Sequence, residues 1–376
     1  MSSLSQSHKL RVAVLFGGRS AEHEISLLSA RFIVESLSPE RYETVLVGIG
    51  KDGRWLLQDQ ALLLQAARDP RLVKLNASMP GVLLPPYSAP AGEELVRVGE
   101  GAPLGVDVIF PVLHGPMGED GTVQGLLELS GLPYVGAGVL GSAVGMDKDV
   151  MKRLLLQAEL PVLPYEAVRY GEWQESREAV LARLERLGFP QFVKPANLGS
   201  SVGVSRVLAP SGLTRAIEHA FEFDDKLVVE SGLDHPREIE CAVLGGDHPR
   251  ASIPGEITID HPDGFYSYEA KYVDESGAVT KIPADLTPTQ VSEVQRLALA
   301  TFRALECEGL ARVDLFLAAN GELYVNEINT LPGFTAVSMF PKLWQASGVS
   351  APELMDFLIQ DALARGERRR GRRSSK

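Results

Sequence analysis

One stretch limits the choice of fold more than any other: Ala311 to Thr335, ARVDLFLAANGELYVNEINTLPGFT. Residues 311–318 are apolar and strand-like, Asn320-Gly321 is a strong turn signal, and Leu323 to Asn329 forms a second strand-like run. The pattern predicts a β-hairpin. With Asn320 and Gly321 at the centre of the turn, Ala319 pairs with Glu322, Asp314 lies opposite Glu327, and Arg312 lies opposite Asn329. Alternate residues of a strand share a face, so these last four side chains converge on one patch, while Val313, Leu315, Leu317, Tyr324 and Ile328 form the buried face. Two carboxylates directly across a strand pair repel each other. A hard divalent cation held by Asp314, Glu327 and the amide oxygen of Asn329 would offset that repulsion, and magnesium in such a setting arrives with nucleotide phosphates. A solvated hairpin with idle polar residues is the plain alternative.

A chain of 376 residues, 45% of them hydrophobic, has room for two or three domains and a sizeable core. Its net charge of −12 argues against nucleic acid as the main partner. No apolar run reaches membrane-spanning length. The first one, Leu10 to Phe16, is short and ends in Gly-Gly, which reads as a first strand and not as a signal peptide. Cys241 and Cys307 have no metal or redox spacing. A reduced, cytoplasmic protein is the simplest account. The arginine-rich end from Arg365 reads as a disordered basic tail.

Residues 10 to about 145 alternate apolar strands with helices, which predicts a mostly parallel sheet. Strand Arg11–Gly18 leads to a helix from Ser26 to Leu37 and a strand from Thr44 to Ile49. Gly17-Gly18 stands at the carboxyl end of the first strand, where open α/β sheets bind ligands. Glu22 is either a helix-start carboxylate favoured by the dipole or a ligand for an ammonium group. His114 closes another buried strand and is either a satisfied structural histidine or a binding residue. Lys148 opens an amphipathic helix at the positive end of its dipole, a conflict that an anionic ligand would relieve; a solvated lysine is the alternative. Asn197 to Gly203 is a Gly/Ser loop with amides and hydroxyls suited to phosphate, and Lys194 precedes it on a strand. It is not a Walker A loop. Glu230 ends a strand, and Glu238 and Glu240 share a face of the next, which alone is compatible with a solvated strand. Gly264 to Tyr272 lacks a period and suits a lid. Thr287-Pro288 starts a helix over 287–308, and a last helix runs from about Pro352 to Ala364.

Taken together, GGRSAEHEIS (17–26), HGPMGEDGTVQG (114–125), MDK (146–148), VKPANLGSSVGVS (193–205), REIECAVLG (237–245), YEAKY (268–272), ARVDLF (311–316) and NEINTLPGFT (326–335) resemble the D-alanine–D-alanine ligase family of the ATP-grasp superfamily, from Val12 to about Ala362. The resemblance implies an α/β chain with an N-terminal parallel domain (1–145), central and C-terminal ATP-grasp subdomains (146–234 and 235–364) and the tail (365–376). It implies ATP and two magnesium or manganese ions, with D-alanine as substrate and a homodimer as the assembly. ATP would meet Lys148, Lys194, Ser201, Glu230, Leu233, Glu238 and Lys271, and the metals Asp314, Glu327 and Asn329. Glu22, His114, Ser338 and Met339 would hold the amino acids. Ser200 and Tyr272 would close the lid with Glu22, and Arg312 with the Gly333 N–H would form an oxyanion hole. Tyr272 favours a dipeptide over a depsipeptide product, since relatives that make D-alanyl-D-lactate tend to lack it. Another ATP-grasp ligase with a different second substrate is the nearest rival reading. A non-catalytic nucleotide-binding protein is the next, although it would have no use for opposed carboxylates.

Overall fold

The computed structural model of the chain describes residues 9–65, 74–87, 92–259 and 278–371. These fall into two compact units. The first takes the residues up to Gly136, with Gly333–Pro341 and the residues from Gly348 onward. The second takes Ala137–Pro332 and Lys342–Ser347.

In the first unit the three apolar runs expected as strands, joined by one short edge strand that was not expected, form a four-stranded sheet. The elements in chain order are β1 (Leu10–Gly17), α1 (His23–Ser36), β2 (Tyr42–Ile49), β3 (Trp55–Leu57), α2 (Gln60–Gln65), β4 (Val82–Leu83), β5 (Val96–Arg97), β6 (Val108–Val112) and α3 (Thr122–Ser130). β2, β1 and β6 run parallel, β3 is an antiparallel edge, and β4 and β5 pair separately. Leu15, Val47, Ile109, Leu127 and Tyr134 belong to its core. Phe16 pairs with Val112, so β1 and β6 end side by side. That neighbouring places the turn after Gly17 beside His114. Gly17 has φ +92, and a Cβ there would stand 2.4 Å from the Ile49 carbonyl oxygen, so the turn requires glycine. α1 begins three residues earlier than expected, with Glu22 at its N-cap.

The C-terminal helix, Ala351–Arg370, corrects the expectation of a disordered tail from Arg365. Arg365 is buried, pairs with Asp361 one turn back at 2.8 Å and donates to the Tyr134 carbonyl oxygen at 3.3 Å. The arginines of the last turn also complement the negative end of the dipole.

The second unit opens with α4 (Val139–Met146) and α5 (Lys148–Gln157). β7 (Tyr165–Arg169), α6 (Tyr170–Glu185), β8 (Gln191–Pro195), β9 (Ser205–Val207), α7 (Leu213–Ala220) and β10 (Lys226–Ser231) follow. Their strands make an antiparallel sheet of order β7-β10-β8-β9, with a core of Trp173, Val180, Leu184, Leu213 and Ile217 against Val193, Leu227 and Val229. Next come β11 (Arg237–Leu244), β12 (Arg250–Ala251), β13 (Gly255–Ile259), β14 (Ala278–Lys281), α8 (Pro288–Ala304), β15 (Leu310–Leu317) and β16 (Leu323–Asn329). They form a six-stranded antiparallel sheet, β14-β13-β11-β15-β16, with β12 on β11. Thr287 caps α8 through the Gln290 N–H, and Pro288 fills the first turn. Val294, Leu297 and Phe302 of α8, with Met151 and Leu155 of α5, cluster with one face of that sheet.

The hairpin keeps the expected pairs Arg312↔Asn329 and Asp314↔Glu327, but by a different route. Its loop holds three residues, Ala319 to Gly321, with Gly321 at φ +87 and Ala318 bonded to Glu322. This is a turn with a glycine bulge, not the two-residue turn expected. A second bulge sits at Asn326, since Leu315 pairs with Val325. The two extra residues cancel at Asp314, yet between them the parity is reversed. Val325 and Leu323 therefore enter the core, and Tyr324, expected there, pairs with Phe316 and donates to Glu322.

A packing test follows from the glycines. A Cβ on Gly141 of α4 would stand 2.7 Å from the Glu306 carbonyl oxygen, whereas one on Gly125 of α3 meets nothing within 4 Å. Gly141→Ala is expected to destabilise by about 1–3 kcal/mol, and Gly125→Ala to be stabilising by about 0.4–1 kcal/mol, both read from urea unfolding midpoints.

Candidate active site

The second unit encloses a cavity of about 360 Å³. The four-stranded sheet brings Phe192, Lys194 and Glu230 to it, and the six-stranded sheet brings Glu238, Glu240, Arg312, Asp314 and Glu327. Lys148, Ser201 and Leu233 complete the expected nucleotide residues on its wall, apart from Lys271. Strand alternation explains the sheet side. With Ile239, Cys241, Val313 and Leu315 in the core, the residues between them must face the other way.

Glu240, Asp314 and Glu327 on that face each have a cation. Arg312 donates twice to Asp314, at 2.7 Å, and its Nε lies 2.9 Å from Glu240, which stands opposite Asp314 in register. Asn329 also donates to Asp314, at 3.0 Å. Burial opposes the charge on Arg312, but Asp314 and Glu240 outweigh it and hold the guanidinium well above its ordinary range. Lys148 reaches to 3.5 Å from Glu327 and donates to the Leu198 carbonyl oxygen at 2.6 Å, which ties the helix start to the Gly/Ser loop. The repulsion expected between Asp314 and Glu327 is thus offset by Arg312 and Lys148 from within the chain. Ser200 and Ser201 of the loop have positive φ, 51 and 57.

Glu230, also on the cavity wall, is buried. Its two oxygens lie 3.2 Å from Lys152 Nζ and 2.9 Å from Lys194 Nζ. Burial alone would raise this carboxyl, but Lys152 and Lys194 prevail and hold it at about 2. Burial pushes the Lys152 ammonium below its ordinary range. Lys194 also contacts the Asn326 side chain, turned there by the bulge, at 3.4 Å.

Asp314, Glu327 and Asn329 offer oxygen donors only, the chemistry of a hard cation. Among the described residues no group of three or more His, Cys, Asp or Glu forms a metal cage. A magnesium ion on these three would therefore complete its shell with phosphate oxygens and water, as magnesium ordinarily does.

The first unit holds the other expected residues. Glu22 is buried at the start of α1, and a Cβ on Gly115 would stand 3.1 Å from its Oε2. His114 Nε2 lies 3.1 Å from Ser29 Oγ, which also accepts from the Phe334 N–H at 3.3 Å. The side chain of Ser338 accepts from the Thr335 N–H at 3.0 Å, and a Cβ on Gly333 would meet its hydroxyl at the same distance. Met339 is buried. Lys271 and Tyr272 lie outside the described residues.

Four site residues escaped the sequence. Lys152 is four positions from Lys148 on one helical face, a signal that was available. Glu240 alternates with Glu238 but is buried, not solvated. Asn326 carried no signal, because a bulge has none of its own here. Ser29, three residues after Ser26, is a small polar residue within an apolar helix face.

Two antiparallel sheets closing on a cavity lined by lysines, carboxylates and a Gly/Ser loop, in a chain that also carries a parallel α/β unit, define an ATP-grasp enzyme. Residues 11–137 match the family model for the D-ala D-ala ligase N-terminus, and residues 154–360 that for the D-ala D-ala ligase C-terminus. The D-alanine--D-alanine ligase of Oceanobacillus iheyensis is 48% identical over 370 residues, 98% of this chain and 99% of the relative. The structure of the D-alanine-D-alanine ligase from Coxiella burnetii aligns with TM-score 0.84 at 39% identity, covering 97% of each chain. The VanG D-Ala:D-Ser ligase from Enterococcus faecalis aligns with TM-score 0.81 at 32% identity, covering 94% of this chain and 100% of that one. The chain belongs to the D-alanine–D-alanine ligase family. No helix among the described residues is long and apolar enough to cross a membrane.

The charge on Glu230 has a pH signature. A carboxyl depressed to about 2 contributes stability that is fully present above about pH 4.5 and lost as pH falls through 2. Glu230→Gln strands the buried Lys152, which is expected to cost about 3–5 kcal/mol at pH 7. The gap between variant and wild-type melting temperatures should close as pH falls from about 4.5 towards 2.

Proposed function

We propose that the chain joins two D-alanines into D-alanyl-D-alanine at the expense of ATP, as a supplier of the cell-wall peptidoglycan precursor. The observation that carries this is the cavity in which Lys148, Lys194 and Glu230 share one space with the Asp314–Glu327 pair, in a chain of this family. At 32% identity the fold also matches a protein called a D-Ala:D-Ser ligase, so fold alone does not choose the second substrate. The relatives near 48% identity, all called D-alanine--D-alanine ligases, favour D-alanine.

The base of ATP would lie at the Glu230 end, against Lys194 and the backbone at Leu233, with its ribose at Glu238. Its phosphates would lie at Lys148 and the loop that carries Ser200 and Ser201. Two magnesium ions on Asp314, Glu327 and Asn329 would supply charge neutralisation of the β- and γ-phosphates. Glu22 would hold the ammonium of the first D-alanine, with His114 near it, and Ser338 and Met339 the second carboxylate. The first carboxylate attacks the γ-phosphorus and gives an acyl phosphate and ADP. The residues around it act by position and charge. The second amine then attacks the acyl carbon and phosphate leaves. Arg312 and the Gly333 N–H would stabilise the oxyanion, about 3–4 kcal/mol per donor. Lys271 would touch the transferred phosphoryl group, and Tyr272 would join Ser200 and Glu22 in shielding the acyl phosphate from water. Cytoplasmic location and a homodimer are the accompanying proposals, the latter open to sedimentation.

The test is ADP release with magnesium, ATP and D-alanine, with mass spectrometry of the product. Dipeptide should form from D-alanine and not from L-alanine, and Glu327→Ala should lower its rate at least about a hundredfold. No dipeptide from any D-amino acid would overturn the reading, and a mixed D-alanyl-D-serine product would reassign the second substrate.

A further inference from the structure

Lys152 lies in α5, fully buried and away from the cavity wall, yet its Nζ is 3.2 Å from one oxygen of Glu230 and 5.6 Å from the centre of the Tyr165 ring. Lys194 takes the other oxygen at 2.9 Å. The start of α5 is pinned independently. Asp147 accepts from the Val150 N–H at 3.0 Å and from Lys226 Nζ at 2.7 Å. Lys148 and Lys152, one turn apart on α5, thus meet two different carboxylates of the cavity wall, the first Glu327 and the second Glu230.

We infer that Lys152 is a positioning residue that makes this pocket select a 6-amino purine over a 6-oxo purine, by fixing Glu230 as a carboxylate that can only accept. With a cation on each oxygen, Glu230 has no proton to give and no freedom to turn. Its remaining lone pairs accept from the amino group of adenine and repel the carbonyl oxygen of guanine. A protonated or rotated Glu230 would tolerate either edge. Mere neutralisation of a buried charge would make Lys152 matter for folding and for all nucleotides equally.

This inference rests on the nucleotide site proposed above, so its test uses binding and needs no dipeptide. Isothermal titration of the full chain with ADP and with GDP, each with magnesium, is compared for wild type and Lys152→Met. The wild type should prefer ADP by at least about a hundredfold. Lys152→Met should cut that ratio at least about tenfold, chiefly by weakening ADP. A variant ratio equal to the wild-type ratio, or equal losses for both nucleotides, overturns the role of Lys152 and leaves the nucleotide site standing. A wild type that binds neither nucleotide overturns both. If circular dichroism shows that Lys152→Met does not fold, Lys152→Gln, which can still donate to Glu230 but carries no charge, is read by the same ratio.

Discussion

The charge balance over the polar face of the six-stranded sheet is the constraint on which the second unit depends. Its strands have one face committed to α8 and α5, which forces Glu238, Glu240, Arg312, Asp314, Glu327 and Asn329 onto the other. Carboxylates gathered in a partly buried space are tolerated only with counter-charges. Arg312 bridges Glu240 and Asp314, Lys148 approaches Glu327, and Lys152 and Lys194 hold Glu230. Removing one of these cations would strand a carboxylate in a low-dielectric site, so the network is costly to break at any one point.

The same requirement readies the site. Groups that must hold one another's charges cannot wander, so the cavity wall is set before a substrate meets it, which is where electrostatic catalysis draws its strength. The bulge at Asn326 shows how finely this is done. One extra residue in β16 leaves the Asp314–Glu327 pairing in place, reseats Val325 and Leu323 in the core, and brings an amide to Lys194. In the first unit the parallel pairing of β1 with β6 has the equivalent effect. It sets Glu22 beside Gly115, and Ser29 joins His114 to the backbone at Phe334.

Local pattern made much of this legible. The alternation through 311–329 assigned the polar and apolar faces of β15, and the acidic pair opposed across the hairpin already pointed to cation and phosphate chemistry. The prediction for Tyr324 failed because an alternating pattern counts residues and a bulge changes the count without leaving a mark in composition. The basic end was misjudged for a related reason. Arginines after residue 364 look like a solvated tail until Tyr134 and Asp361 are seen to receive Arg365.

By itself the sequence determined the main strands and helices, the two faces of β15 and the motif order that marks the ligase family, and it singled out Lys148, Lys194, Glu230, Arg312, Asp314 and Glu327 among the residues that line the cavity. These follow from periodicity and residue chemistry within a few positions along the chain. Tertiary structure alone decided which cation meets which carboxylate. Lys152 and Glu230 are 78 positions apart and meet only once α5 packs near β10, and Glu240 becomes the partner of Arg312 only when β11 pairs with β15. Burial and charge pairing depend on distance in space, and no local pattern carries that distance.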